Sequence, residues 1–156
     1  MQAERIVALL RENNLQLASA ESCTGGLLAA ALTAVPGCSE CFGCGLITYS
    51  NEAKESLLKV APQTLEAYGA VSAETAAAMA RGVAELARAD IGLAITGIAG
   101  PGGATADKPV GLVYLGLAAN GREITAKYNF SGNRDEVRRQ AVAAAWELLM
   151  RVLKKG

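Results

Sequence analysis

The sequence predicts an α/β sandwich, a mixed β-sheet flanked by helices, as a single domain over residues 1–156. Three observations lead there. Segments with helical apolar spacing alternate with short apolar runs of strand length. The chain holds 31 alanines and 17 glycines, small residues that let helices lie close to a sheet. Asn120-Gly121 joins two strand-like runs, the pattern of a tight antiparallel hairpin. A chain of this length buries about 68–70% of its unfolded surface, enough for one core without staples.

The elements are read in order. Residues 3–13 place Ile6, Leu9 and Leu10 on one face of a helix that Asn13-Asn14 ends. Leu15 to Ala20 reads as a short strand, Leu15 and Leu17 alternating with Gln16 and Ala18. Thr24-Gly25-Gly26 opens a helix to about Val35, stopped by Pro36-Gly37. Residues 42–50 read as a buried strand, and Asn51 as the N-cap of a helix from Glu52 to about Lys59. Pro62 opens a short helix closing at Gly69, and Ser72 caps a longer one with Ala76, Met79, Ala80, Val83 and Leu86 at helical spacing. Ile91 to Ile95 is a central strand followed by a glycine loop over 97–103. Val110 to Ala118 and Glu123 to Phe130 form the hairpin. A last helix starts near Asn133, with Asp135 and Glu136 at its positive end and Val137, Ala141, Ala144, Leu148 and Val152 as its apolar stripe.

Composition narrows the chemistry. There is no histidine, so Ser-His and Cys-His mechanisms and imidazole-bound zinc are excluded. Acid–base work falls to Lys, Tyr, Asp, Glu or Cys. Fifteen basic residues balance fifteen acidic ones, which argues against nucleic acid as a partner held by bulk charge. The longest apolar run, Leu27 to Val35, is too short to span a bilayer, and the polar N-terminus is no signal peptide. The expected location is cytoplasmic, with the four cysteines reduced.

Five segments carry candidate chemistry. In Glu21-Ser22-Cys23-Thr24-Gly25-Gly26 a hydroxyl and a thiol sit where a strand turns into a helix, and the amides of Thr24, Gly25 and Gly26 could hold an anion or a developing oxyanion. The plainer alternative is that Ser22 caps the helix. In Thr48-Tyr49-Ser50-Asn51-Glu52-Ala53-Lys54 the lysine falls in a first helical turn, where a cation is disfavoured. A lysine made neutral there could act as a general base and activate Ser22, with Tyr49 relaying a proton or orienting the pair. The alternative is a solvent-facing lysine. The loop Thr96-Gly97-Ile98-Ala99-Gly100-Pro101-Gly102-Gly103 lies beyond a strand's carboxyl end, where α/β sheets bind ligands. Its amides could cradle a phosphate, with Lys108 adding charge; it could equally be a turn requiring positive φ angles.

Cys38, Cys41 and Cys44 are spaced C-x2-C-x2-C with Cys23 upstream, a set that could ligate zinc or an iron–sulfur cluster. Against this, Cys44 falls in a strand, where side chains alternate faces, so buried apolar thiols are the preferred reading. Cys23 is a rival nucleophile to Ser22. In Ser131-Gly132-Asn133-Arg134-Asp135, Arg134 with Arg138 and Arg139 could reach a phosphate or carboxylate, although surface pairing with acids is the commoner outcome.

Together, Glu21–Gly26, Thr48–Lys54, Gly69-Ala70-Val71-Ser72, Gly97–Gly103 and Lys108-Pro109-Val110-Gly111 occur in an order that resembles the CinA C-terminal domain family. The resemblance runs from about Arg5 to Val152. It implies a stand-alone amidase domain that hydrolyses the carboxamide of nicotinamide mononucleotide to nicotinic acid mononucleotide and ammonia. The family's serine nucleophile maps onto Ser22, its lysine base onto Lys54 and its assisting tyrosine onto Tyr49. It implies no metal or organic cofactor, a small-molecule pyridine nucleotide as partner, no membrane or nucleic-acid partner, and a homo-oligomer, most simply a dimer. Cys23, Thr24, Gly25, Gly26, Thr96, Gly97, Gly100, Gly102, Gly103 and Lys108 are the expected substrate contacts. The rival expectation is a non-catalytic nucleotide-binding domain of the same family. The segment from Pro36 to Gly45 departs from the family in carrying extra cysteines.

Overall fold

The computed structural model describes residues 1–155 and places five strands in one mixed sheet. In chain order the elements are α1 (Gln2–Glu12), β1 (Leu17–Glu21), α2 (Leu27–Thr33), a 3-10 turn (Cys38–Glu40), β2 (Phe42–Ile47), α3 (Asn51–Leu58), α4 (Pro62–Tyr68), α5 (Ala73–Ala87), β3 (Ile91–Gly97), β4 (Leu112–Ala119), β5 (Arg122–Asn129) and α6 (Arg134–Lys155). The spatial order is β2-β1-β3-β4-β5. β1 pairs in parallel with both β2 and β3, while β4 and β5 are antiparallel additions.

Strand order explains the layers. The chain leaves β1 for β2, then crosses back over β1 to reach β3. Parallel crossovers share one hand, so steps in opposite directions put their helices on opposite faces. Accordingly Leu28 and Leu32 of α2 join α1 and α6 in a core with Leu17, Ile91, Leu93, Ile95, Leu115 and Leu117. Leu58, Leu65, Met79 and Val83 of α3, α4 and α5 pack on the other face against Ala18, Ala20 and Ala94. That second face is made of small residues because α5 lies almost on the backbone. A Cβ on Gly92 would stand 2.0 Å from the Ala80 carbonyl oxygen, and one on Gly116 would stand 2.2 Å from that of Ala76. The alanine and glycine richness of the chain is thus used where helix meets sheet.

Several expectations are corrected. β1 starts at Leu17, not Leu15, and is buried on both faces rather than alternating, because it lies between two strands and two helix layers. β2 is an edge strand of half-exposed character, not a buried one, and ends at Ile47. α2 begins at Leu27, since Gly25 (φ +57°) and Gly26 (φ +108°) hold the left-handed backbone of a turn and cannot open a helix. Ser50, not Asn51, caps α3 by accepting from the Ala53 amide. Leu86 faces outward at 54% exposure instead of joining the α5 stripe. The hairpin turn stands as read, Asn120 (φ +51°) and Gly121 (φ +72°) joining β4 and β5, but β4 starts at Leu112, not Val110, since Gly111 (φ +93°) lies outside the extended backbone. Ser72 caps α5 by accepting from Thr75, and Asn133 with Glu136 forms a reciprocal cap at the start of α6.

No described helix is long and apolar enough to cross a membrane.

Candidate active site

The carboxyl ends of the three parallel strands converge. Ser22 follows β1, Thr48 and Tyr49 follow β2, and the 97–103 loop follows β3. In a 2-1-3 order this is the point where connections diverge, and such crevices hold ligands in open α/β sheets. A cleft of about 420 Å³ lies there, walled by Ser22, Cys23, Tyr49, Asn51, Lys54, Ala70, Val71, residues 96–103 and Arg134.

Ser22 is fixed by its neighbours. Its amide donates to the Ile95 carbonyl at 3.0 Å, which ties the end of β1 to β3. The preceding Glu21 is buried, and its carboxylate accepts from Thr24 Oγ1 (2.7 Å) and from the amides of Leu28 (2.9 Å) and Ala29 (3.2 Å). One carboxylate therefore holds the turn and satisfies the start of α2. On the other side Arg138 of α6 donates to the carbonyls of Cys23 (3.0 Å) and Thr24 (3.2 Å).

Lys54 reaches the same point from α3. It is 1% exposed, the largest fully buried side chain of the fold. Its Nζ lies 3.1 Å from Ser22 Oγ and donates to the Thr48 carbonyl at 2.7 Å. No carboxylate pairs with it among the described residues. Burial without a counter-charge disfavours the ammonium and pushes the pKa below the ordinary lysine value. Because Ser50 is the cap, Lys54 sits at the start of the second turn, so burial rather than the helix dipole supplies the shift. Burial also pushes the Cys23 thiol up to about 11, outweighing its own amide and Arg138. At neutral pH that thiol is uncharged and offers Lys54 no counter-charge.

Other expected contacts divide. Cys23, Thr96, Gly97, Gly100, Gly102 and Gly103 line the cleft. The Thr96 hydroxyl donates to the Ala70 carbonyl at 2.8 Å, fixing loop to loop. Thr24, Gly25 and Gly26 are not in the cleft wall. The Thr24 side chain is turned to Glu21, and the Gly25 amide donates to the Ser22 carbonyl at 3.1 Å. The expected trio of free amides is thus reduced to those of Thr24 and Gly26, which reach no protein acceptor among the described residues. Lys108 is also outside the cleft; its ammonium binds the Tyr68 carbonyl at the end of α4. Tyr49 is 61% exposed at the cleft rim, and its hydroxyl accepts from Arg134 Nη2 at 3.0 Å rather than bonding to Ser22 or Lys54.

Arg134 was recognisable only as one of three arginines near a helix start. Arg139 does pair with Asp135 on the surface, at 3.0 Å. Arg134 instead spans the cleft mouth, donating to the Gly100 carbonyl at 2.8 Å and to Tyr49. The four cysteines are free thiols, Cys23 and Cys41 buried and Cys38 and Cys44 partly so. No three Cys, Asp or Glu side chains come together as a metal site among the described residues.

Fold and cleft define an α/β domain with a buried serine–lysine contact at the ends of its parallel strands. The sequence model of the CinA C-terminal domain matches residues 1–153, and the chain belongs to that family. It is 50% identical over 151 residues to a competence-damage inducible protein of Caldanaerobacter subterraneus, covering 97% of this chain and 37% of that protein. A protein of the same name in Clostridium acetobutylicum is 54% identical over 144 residues, covering 92% and 35%. The chain thus spans little more than a third of these curated relatives. Crystal structures of CinA superfamily proteins match along nearly the whole fold. That from Klebsiella pneumoniae has a TM-score of 0.96 at 37% identity, covering 99% of this chain and 97% of that one. The competence/damage inducible protein of Agrobacterium tumefaciens has a TM-score of 0.94 at 43% identity, covering 98% and 93%.

Proposed function

We propose that the chain is an amidohydrolase that converts nicotinamide mononucleotide and water to nicotinic acid mononucleotide and ammonia through a serine acyl-enzyme. The observation that carries this reading is the 3.1 Å contact between Ser22 Oγ and a lysine buried without a carboxylate partner. A neutral amine can donate one N–H to the Thr48 carbonyl and turn its lone pair to the serine hydroxyl. Lys54 takes the Ser22 proton as Oγ attacks the carboxamide carbon. The amide of Cys23, next to Ser22 in the cleft wall, receives the oxyanion, and a donor of that kind is worth about 10²–10³ in rate. Lys54 returns the proton to the departing nitrogen, releasing ammonia, and then takes a proton from the water that cleaves the ester. Lys54 passes that proton to Ser22 Oγ as the ester bond breaks, so the free acid leaves and both residues are restored. The mononucleotide as substrate rests on the family resemblance. The glycine loop at 97–103 supports it by lining the same cleft with backbone that a ribose phosphate can approach closely.

The test is ammonia release from the mononucleotide by the full chain, beside Ser22→Ala and Lys54→Met. Turnover by the wild type and loss of about 10³-fold or more in each variant are expected, since the pair acts as a unit. Binding of the mononucleotide without ammonia release from the wild type would establish the rival reading, a nucleotide-binding module.

A further inference from the structure

We infer that Cys38 and Cys41 form a dithiol site that exchanges with small-molecule disulfides, Cys38 as the attacking thiol and Cys41 as the resolving one. The pair stands at the amino ends of β1 and β2, away from the cleft at their carboxyl ends, and takes no part in the chemistry there.

The turn brings the two side chains together. Cys38–Glu40 is a single 3-10 turn, closed by the Cys41 amide donating to the Cys38 carbonyl at 2.9 Å. Three residues of such a turn complete one revolution and advance about 6 Å, inside the roughly 4.4–6.8 Å between Cα atoms that a disulfide spans. Cys41 Sγ accordingly lies 3.4 Å from the Cys38 carbonyl oxygen. Both side chains pack on the core shared by α1, α2 and α6. The turn is fastened from outside as well. Arg11 pairs with Glu40 at 3.0 Å, Gln16 Nε2 donates to the Glu40 carbonyl at 2.7 Å, and the Leu17 amide donates to the Cys41 carbonyl at 2.8 Å.

The fold keeps the other two thiols apart from this pair. Cys44 is the register partner of Ala18, whose side chain lies in the core on the opposite face of the sheet, with α3, α4 and α5. Cys23 follows the carboxyl end of β1, whereas Cys41 meets its first residue, and a five-residue strand sets them roughly 16 Å apart.

Exposure divides the roles. Cys38 is partly exposed and Cys41 is buried. Burial first, and then the neighbouring Cys38, pushes the Cys41 thiol up, while Arg11 and Glu40 beside it act in opposite senses. Cys38 is therefore the sulfur that an external disulfide reaches. As the thiolate it attacks one sulfur of the oxidant, so that a mixed disulfide forms, the oxidant's S–S bond breaks and one thiolate leaves. Cys41 gives its proton to solvent and attacks Cys38 Sγ; the Cys38–Cys41 bond forms and a second thiolate leaves. Two protein thiols are oxidised, one small-molecule disulfide is reduced to two thiols, and the two protons lost by the protein match the two thiolates released. The second step is intramolecular, so the mixed disulfide does not accumulate.

The experiment treats the folded, reduced full chain with a series of oxidised and reduced glutathione mixtures, traps the remaining thiols by alkylation and maps the peptides by mass spectrometry. Wild type, Cys38→Ala, Cys41→Ala and Cys44→Ala are compared. The wild type loses two hydrogens, mapped to one Cys38–Cys41 bridge that excess reduced glutathione reopens. Cys41→Ala stops at a single glutathionyl group on Cys38, Cys38→Ala loses the reaction at Cys41, and Cys44→Ala forms the bridge as the wild type does. A wild type that keeps both thiols free throughout the series overturns the inference. So does a lasting glutathionyl group on wild-type Cys38, a bridge that includes Cys23 or Cys44, or a Cys38–Cys41 bridge that forms only in urea.

Discussion

Lys54 brings four methylenes and an amine into a space that leaves it 1% exposed, with two neutral oxygens as partners. Its pKa is lowered, so below that value the amine is charged and cannot accept the serine proton. The rate of ammonia release therefore rises with pH through the lowered lysine value, and a pH–rate profile measures it. Lys54→Arg is as inactive as Lys54→Met, because a guanidinium stays protonated. The same shift fixes a stability slope. Between the lowered value and the ordinary one near 10.4 the unfolded chain binds the extra proton, so folding stability rises with pH in that window. Urea unfolding across the window shows a shallower rise in Lys54→Met. Cys23, its thiol pushed up by burial, has no hydrogen bond to Lys54 among the described residues, whereas Ser22 has one, and Cys23→Ala is expected to retain most of the activity in the same assay. At this scale the absence of histidine made Ser22 and Lys54 legible from the sequence. Tyr49, Lys108 and Arg134 were not, because the partner of an exposed polar side chain depends on loops distant in sequence. The bond from Arg134 to Tyr49 joins residues 85 apart.

Elements place those residues, and two features do most of it. α5 can press on the sheet only because Gly92 and Gly116 offer no side chain. Gly116→Ala should cost about 3 kcal/mol or more in denaturant unfolding, since the obstructing atom is a backbone carbonyl that cannot rotate away. Glu21 fastens the Ser22 turn to α2 through three accepted hydrogen bonds. Glu21→Ala leaves buried donors unpaired, lowering stability by about 2–4 kcal/mol and impairing turnover as Ser22 loses its support. The long helices and the Asn120-Gly121 hairpin were legible because their signals are local. The edge position of β2, the buried run of β1 and the start of α2 were not. Whether an apolar run lies at an edge or the centre depends on strand order, and a Gly-Gly pair serves a tight turn as well as a helix entry.

For the whole molecule, the fold gathers distant segments into one cleft: Ser22 after β1, Lys54 from α3, the loop after β3 and Arg134 from α6. The 1–153 match and the mixed five-stranded sheet make the domain a member of its family, and it covers 37% and 35% of the two curated relatives compared above. The domain carries the serine–lysine contact within its own fold. That contact is the centre of the account, and acid-quenched mass spectrometry during the first turnover tests it most directly. The prediction is an added mass equal to nicotinamide mononucleotide less ammonia, mapped to the Ser22 hydroxyl and missing from Lys54→Met. The same mass mapped to the Cys23 thiol would contradict it.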